Sequence, residues 1–288
     1  MQLNRRSSWI LAGLIVASPL ALRADGYRLD KTLPLAAGGT FSLRAAAGSI
    51  HVQGGDGTEA VVTITCDRAD FSSIFNVRIE SPRPDRVEVV IEQKARGVAG
   101  WFDGFHGKTK VEVTLPRSVS ADLESSGGGI DASGLAGKVS AESSGGGVHV
   151  ADLAGAAKLS SSGGGIEAED VAGDIDAESS GGGVRIRAAR GRVDASSSGG
   201  AVKVGFAAGN AKGGSLDSSG GGVTAELDPA VGLEIDASSS GGSVSCDLPI
   251  TTRGRIGRDD LHGTLNGGGA RLNLSSSGGG IRISAGKN

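Results

Sequence analysis

The hexapeptide "SSGGGI" at Ser125–Ile130 is the first of eight versions of one phrase along the chain. It returns as "SSGGGV" at Ser143, "SSGGGI" at Ser161 and "SSGGGV" at Ser179. Variants follow as "SSGGAV" at Ser197, "SSGGGV" at Ser218, "SSGGSV" at Ser239 and "SSGGGI" at Ser276. The first five versions start at a strict step of 18 residues and the next two at a step of 21. Self-similarity at a fixed period marks a repeat architecture, and it constrains the fold more than any other feature.

A weaker half-copy lies inside each unit. From Gly127 the chain reads in nines: GGGIDASGL, AGKVSAESS, GGGVHVADL, AGAAKLSSS. The fourth and sixth positions are apolar, as in Ile130 and Ala132, Val148 and Val150, Val184 and Ile186. The fifth is mostly polar: Asp131, His149, Glu167, Arg185. This alternation is the period of a short strand with one buried face. Helices are excluded, since each glycine costs about 1 kcal/mol against alanine there. So short a strand is not stable alone, but stacked coils spaced ~4.8 Å apart bury continuous inward rows. The expected fold is all-β: a right-handed parallel β-solenoid of about 18-residue coils, two strands and two corners each, with irregular N-terminal coils. Glycine at both corners is expected to supply positive φ and close backbone contact. The corner serines are expected to hydrogen-bond along the stack.

Other readings of the glycine phrase fail on particular residues. A flexible linker would not alternate with strand-forming runs at fixed spacing. A phosphate cradle requires G-x-x-x-x-G-K-[ST], and the "GKT" at Gly107 has Phe102 where the first glycine belongs. The calcium-roll nonapeptide G-G-x-G-x-D-x-U-x requires an aspartate where this chain has Ala132, Val150, Ala168 or Ile186.

The N-terminus reads as a secretory signal peptide over residues 1–24, with Arg5 and Arg6, an apolar centre from Trp9 to Leu22, and Ala24 before the cut. No later segment is long and apolar enough to span a bilayer as a helix. The mature protein is expected to be exported, periplasmic or extracellular. Removal of the signal takes away three arginines and no acid, moving the net charge from −3 to about −6. That mixed, mildly acidic surface excludes nucleic acid as a partner, because phosphate neutralisation needs a dense basic face. Cys66 and Cys246 each close an alternating apolar run and are expected to be buried free thiols; a disulfide between them stays open at this level.

Residues 25–120 form an irregular N-terminal β region, and residues 121–288 the regular solenoid repeats, in one continuous stack. The lead-in "LAAGGTFSLRAAAGSIHVQG", the strand "VEVTLPRSVSADL" and the closing "LNGGGARLNLSSSGGGIRIS" resemble the DUF4097/DUF2807 group of candidate adhesins. The resemblance covers nearly all of the mature chain. It implies a secreted β-solenoid with an adhesin-like role and no catalytic residues to carry over. Many members place Ser/Thr-Asn-Gly-Asp where this chain has Ser-Ser-Gly-Gly-Gly, so any role of an aspartate at that corner does not transfer.

Two features bear on chemistry. One outward row reads Asp131, His149, Glu167, Arg185, Lys203, which is expected to be a solvated ladder of ion pairs; no metal site is expected. The other is "GWFDGFHG". Trp101 is the one tryptophan left after signal removal, with Phe102, Phe105 and His106 beside it. These four are the candidate binding residues, for stacking on a sugar or docking on a partner; capping the open end of the solenoid is the competing role. No catalytic constellation and no cofactor is expected. The leading expectation is a non-catalytic adhesin-like or envelope-scaffold protein that binds a glycan or envelope protein. A β-helix enzyme acting on envelope polysaccharide and an envelope-stress component are the alternatives.

Overall fold

A computed structural model describes residues 26–94, 107–252 and 257–286. The expected signal peptide and Trp101, Phe102, Phe105 and His106 lie outside the described residues. The chain opens with β1 (Tyr27–Pro34), β2 (Thr40–Ala45), β3 (Ser49–Gly55) and β4 (Glu59–Cys66). A single helical turn α1 (Phe71–Ile74) precedes β5 (Phe75–Arg83), β6 (Arg86–Gln93) and β7 (Thr109–Pro116). The regular part runs through β8 (Ser120–Ser125), β9 (Ile130–Leu135), β10 (Val139–Ser143), β11 (Val148–Leu153), β12 (Ala157–Ser161) and β13 (Ile166–Val171). It continues as β14 (Ile175–Ser179), β15 (Val184–Ala189), β16 (Val193–Ser197), β17 (Val202–Phe206), β18 (Gly214–Ser218) and β19 (Val223–Leu227). The C-terminal part holds β20 (Leu233–Ser239), β21 (Val244–Cys246), β22 (Ile250–Thr252), β23 (Asp260–Leu265), β24 (Ala270–Ser276) and β25 (Ile281–Ala285).

These strands form two long sheets, as the repeat requires. Sheet A has the order β1-β4-β7-β3-β9-β11-β13-β15-β17-β19-β25-β21, and sheet B has β22-β23-β20-β24-β18-β16-β14-β12-β10-β8-β2-β6-β5. One rung is a sheet B strand, a serine-glycine corner and a sheet A strand. Successive regular rungs pair in parallel at the sequence period, with Val148 beside Ile130 and Ile166, and Val139 beside Ala157. The fourth and sixth positions of each nonapeptide point inward as expected: Ile130, Ala132, Val148, Val150, Val184 and Ile186 are all buried. The core is therefore a column of small and β-branched side chains between the sheets.

The serine-glycine corner is held by a ladder. The first serine of each phrase is buried, from Ser125 to Ser276. Ser161 Oγ donates to Gly146 O (2.9 Å), Ser197 Oγ to Gly182 O (2.8 Å) and Ser218 Oγ to Gly200 O (2.8 Å), each carbonyl lying in the preceding rung. The glycine N–H three residues on donates back, as Gly200 N does to Ser197 Oγ (2.9 Å). Corner backbone that would otherwise be buried and unpaired is satisfied this way.

Of the two needs expected of the corner glycines, those of the eight phrases meet one, close backbone contact, and not the other. No glycine of the eight phrases has positive φ. What they provide is clearance between rungs: a Cβ on Gly182 would stand 2.5 Å from Gly165 N. Positive φ falls instead at the other corner, at Gly134, Asp152, Asp170 and Ala188, again at a step of 18.

Both ends depart from a simple sequential pile. At the N-terminal end the β6–β7 rung stacks on the outer face of the earlier β2–β3 rung, while β8–β9 stacks on its other face. Antiparallel strands close this end: β4 on β7, β1 on β4, and β5 on β6. At the C-terminal end the β24–β25 rung lies between β18–β19 and β20–β21. Antiparallel β23 then covers β20, and β22 covers β23. The parallel arrangement thus holds for the body of the stack; antiparallel strands close both ends of sheet B and the N-terminal end of sheet A, where a parallel edge would otherwise invite pairing, while the short parallel strand β21 is the last of sheet A at the C-terminal end. The one helical turn, α1, was absent from the all-β expectation; it buries Phe71 and Ile74 beside Phe75.

The two cysteines are free, as expected. Cys66 is buried, whereas Cys246 is only half-buried because its strand is the outermost of sheet A. Ten strand steps separate β4 from β21 in sheet A. At ~4.8 Å per step this places the thiols tens of ångströms apart, far outside disulfide reach.

Candidate functional site

The outward face of sheet A carries the row singled out in the sequence. Asp131, His149, Glu167, Arg185 and Lys203 occupy matching positions on β9, β11, β13, β15 and β17. Pairing of β3 with β9 adds His51 next to Asp131, and pairing of β3 with β7 adds Glu112 next to His51. The outcome is a row in which acids and histidines alternate, Glu112-His51-Asp131-His149-Glu167, followed by two bases.

His51 was missing from the row read at an 18-residue step, because it lies far upstream, where the period is broken. A signal was present nonetheless. "GSIHV" at Gly48 copies "GGVHV" at Gly146: a corner glycine, an inward aliphatic, then an outward histidine.

Beside this row runs an open groove of about 480 Å³, lined by Ser49, His51, Asp131, His149, Glu167 and Arg185 together with Gly129, Gly147 and Gly165. Its origin is local. The third glycine of each corner has no side chain, so the residue two positions on stands over bare backbone. Repetition at ~4.8 Å turns that notch into a trough across successive rungs.

Most charges in the trough are already engaged. His149 Nδ1 lies 3.2 Å from Asp131 Oδ2. Arg187 Nη2 donates to Glu167 Oε1 (2.8 Å) and to Glu169 Oε2 (2.9 Å). Lys203 Nζ pairs with Glu226 Oε1 at 2.6 Å. The Lys110 ammonium, 2.6 Å from Glu112 Oε1, holds that carboxyl below the usual carboxylate range. These pairs are solvent-exposed, so each contributes at most about 1 kcal/mol. Among the described residues, only Asp131 and His149 of the expected row pair with each other; Glu167 and Lys203 pair with residues beside the row. Arg185 is the lining cation with no ion pair among the described residues. No three His, Cys, Asp or Glu among the described residues are grouped to hold a metal ion.

The aromatic segment joins β6 to β7, where other rungs have the serine-glycine corner. Its described flanks are firmly placed. Lys94 N donates to Ile74 O (2.8 Å), Lys94 Nζ to Ser72 O (2.7 Å), and Lys108 N to Asp67 Oδ1 (2.7 Å). Phe71 packs between Tyr27 (centroids 4.6 Å apart) and Phe75 (4.9 Å). Phe71 and Phe75 are therefore core residues of the N-terminal end.

The Toastrack DUF4097 family matches residues 85–284, which is most of the chain and begins where β6 begins. The chain belongs to the Toastrack DUF4097 family. A solved structure shares this fold at low identity. A candidate adhesin from Bacteroides fragilis is 14% identical, with 89% of this chain and 97% of that one covered at a TM-score of 0.51. A candidate adhesin from Parabacteroides distasonis is 13% identical, covering 90% and 98%, with a TM-score of 0.47. Among the described residues of this DUF4097 chain, no helix is long and apolar enough to cross a membrane.

Proposed function

We propose that this protein is an exported, non-catalytic, adhesin-like or cell-envelope scaffold protein whose solenoid faces hold a glycan or protein partner. The observation that carries the reading is the sheet A trough, a preformed surface that repeats donors and acceptors across successive rungs. Rigid β stacking fixes those groups before binding, which lowers the ordering cost of engaging an extended partner. Arg185 supplies an uncommitted guanidinium, suited to forked contacts with carboxylate or phosphate. Membership of the Toastrack DUF4097 family and the likeness to a candidate adhesin support the same role. Trp101, Phe102, Phe105 and His106 are a second contact element in this reading. Export rests on the charged start and short apolar centre of residues 1–24.

The test is retention of purified protein on arrays of glycans, cell-wall fragments and envelope proteins, with localisation followed by cell fractionation. Retention that is weakened tenfold or more by Arg185→Ala with His149→Ala, or by Trp101→Ala, at unchanged thermal stability is the expected result. Loss of tenfold corresponds to about 1.4 kcal/mol. Shortened polysaccharide products would replace the non-catalytic reading with the enzymatic one. Absence of retention on every array, or a cytosolic protein, would remove the proposal.

A further inference from the structure

The C-terminal rung β24–β25 is inserted between two rungs that precede it in sequence. Hydrogen-bonded ladders run on both of its sides: Leu274 is beside Leu216 and Ala237, and Ile281 is beside Val223 and Val244. The serine ladder passes through it in the same spatial order, Ser276 Oγ donating to Gly221 O (2.8 Å) and Ser239 Oγ to Gly279 O (2.8 Å). Leu272, Leu274, Ile281 and Ile283 are all buried. The segment is tied to the stack by a short reversal at Asn266, Gly267 and Gly268, three consecutive residues with positive φ.

Nothing in the slot depends on which chain supplies the rung. We propose that residues 270–285 are an exchangeable insert, and that the slot between β18–β19 and β20–β21 accepts the same rung from a second copy of this chain, giving a reciprocally exchanged dimer. Every contact of the inserted rung is reproduced in the exchanged form; only the Asn266–Gly268 reversal changes, opening into an extended crossing. Slot opening is eased by the spacing of the repeat. Rung 233–246 follows rung 214–227 at the ordinary step of 21, so Ile235 falls on Gly214, Ala237 on Leu216 and Val244 on Val223. The apolar row stays inward in that register. The stack can therefore close while the C-terminal rung is out and reopen to admit one.

The experiment uses whole chains carrying Cys246→Ser. Asp217 and Ser275 are exposed register partners across the slot, at a spacing a disulfide can bridge. A chain with Asp217→Cys is unfolded and refolded together with a chain bearing Ser275→Cys, then oxidised mildly. A mixed dimer joined through the two introduced thiols, located by peptide mass spectrometry, is expected. Its yield should rise about tenfold between ~5 and ~50 μM refolding concentration, as mass action requires while dimer is the minor species. The two folded chains mixed without unfolding should give at least tenfold less. A single chain with both substitutions should close the bond internally when dilute, which shows that the fold and the geometry survive. If that control closes while the mixed refolding yields no joined pair at any concentration, the exchange is refuted.

Discussion

Ser143 donates its hydroxyl hydrogen to the carbonyl of Gly128, in the preceding rung, at 2.8 Å. The same oxygen accepts the N–H of Gly146 at 3.0 Å. One buried hydroxyl therefore satisfies two backbone groups, one in its own corner and one in the preceding corner, and the arrangement recurs up the stack. Ser143→Ala removes both contacts without adding bulk. A loss of about 1–3 kcal/mol is expected, the usual cost of leaving buried polar groups unpaired. The neighbouring Ser144→Ala, at an exposed position, should stay within about 0.5 kcal/mol. Urea unfolding of the two variants checks the difference; equal effects would contradict the ladder.

The middle glycine of each corner leaves no room for a methyl group. Gly182→Ala is expected to destabilise by about 1–3 kcal/mol through overpacking. At the third position the chain itself carries Ala201 and Ser243, so Gly147→Ala should cost less than Gly182→Ala. Thermal melts of both variants give the ranking, and the reverse order would show that clearance is not what the middle glycine provides.

Ala188 holds positive φ at the corner where Gly134 stands in an earlier rung. Ala188→Gly should therefore raise stability by about 1 kcal/mol, relieving a conformation that costs L-residues roughly that much. Chemical denaturation reads the sign directly; a loss of stability would mean that the methyl's packing outweighs its backbone strain.

Acid should destabilise the N-terminal end of sheet A. The Arg28 guanidinium, 2.7 Å from Asp30, holds that carboxyl below its usual range, and Lys110 does the same for Glu112. Both carboxyls bind protons more readily in the unfolded chain. Their contribution is thus present above the ordinary carboxylate pKa near 4 and is lost as pH falls through the lower folded values. Stability measured from about pH 5 down to 2 should drop, and Arg28→Leu should flatten that drop. An unchanged slope would place the acid sensitivity elsewhere.

Thiol labelling should distinguish the two cysteines. Cys246 should react with a maleimide or disulfide reagent in the folded protein, slowed because burial raises its thiol pKa. Cys66 should react only on unfolding. Mild oxidation of the monomer should leave two titratable thiols; an intrachain disulfide would contradict the order of strands in sheet A.

Much of the molecule is legible in local pattern. Ile130, Val148, Ile166 and Val184 alternate with polar neighbours at a fixed step, so strand, inward face and lateral partner follow from position alone. The outward row from Asp131 to Lys203 was readable for the same reason. His51 was signalled only by the copy of "GGVHV" at Gly48, and Glu112 by nothing local, because both join that row through the pairing of β3 with β7 and β9 across a break in the period. Close backbone contact at the corner glycines was expected, but its partners were not: Gly182 is selected by Gly165 in the preceding rung, a contact between residues 17 positions apart that no local conformational preference reports.

The sequence by itself determined what a rung is: how long, which side chains face inward, and that serine and glycine make its corner. Tertiary structure alone decided the order of the rungs at the two ends. Rung 233–246 keeps its apolar row inward whether it lies directly on rung 214–227 or one place further out, so alternation cannot choose between the two. The choice falls to packing. The inserted rung brings Leu272, Leu274, Ile281 and Ile283 into full burial between two neighbours, and leaves the smaller Val244 and Cys246 on β21, the outermost strand of sheet A. Larger apolar side chains gain more from the interior, roughly in proportion to the area they remove from water.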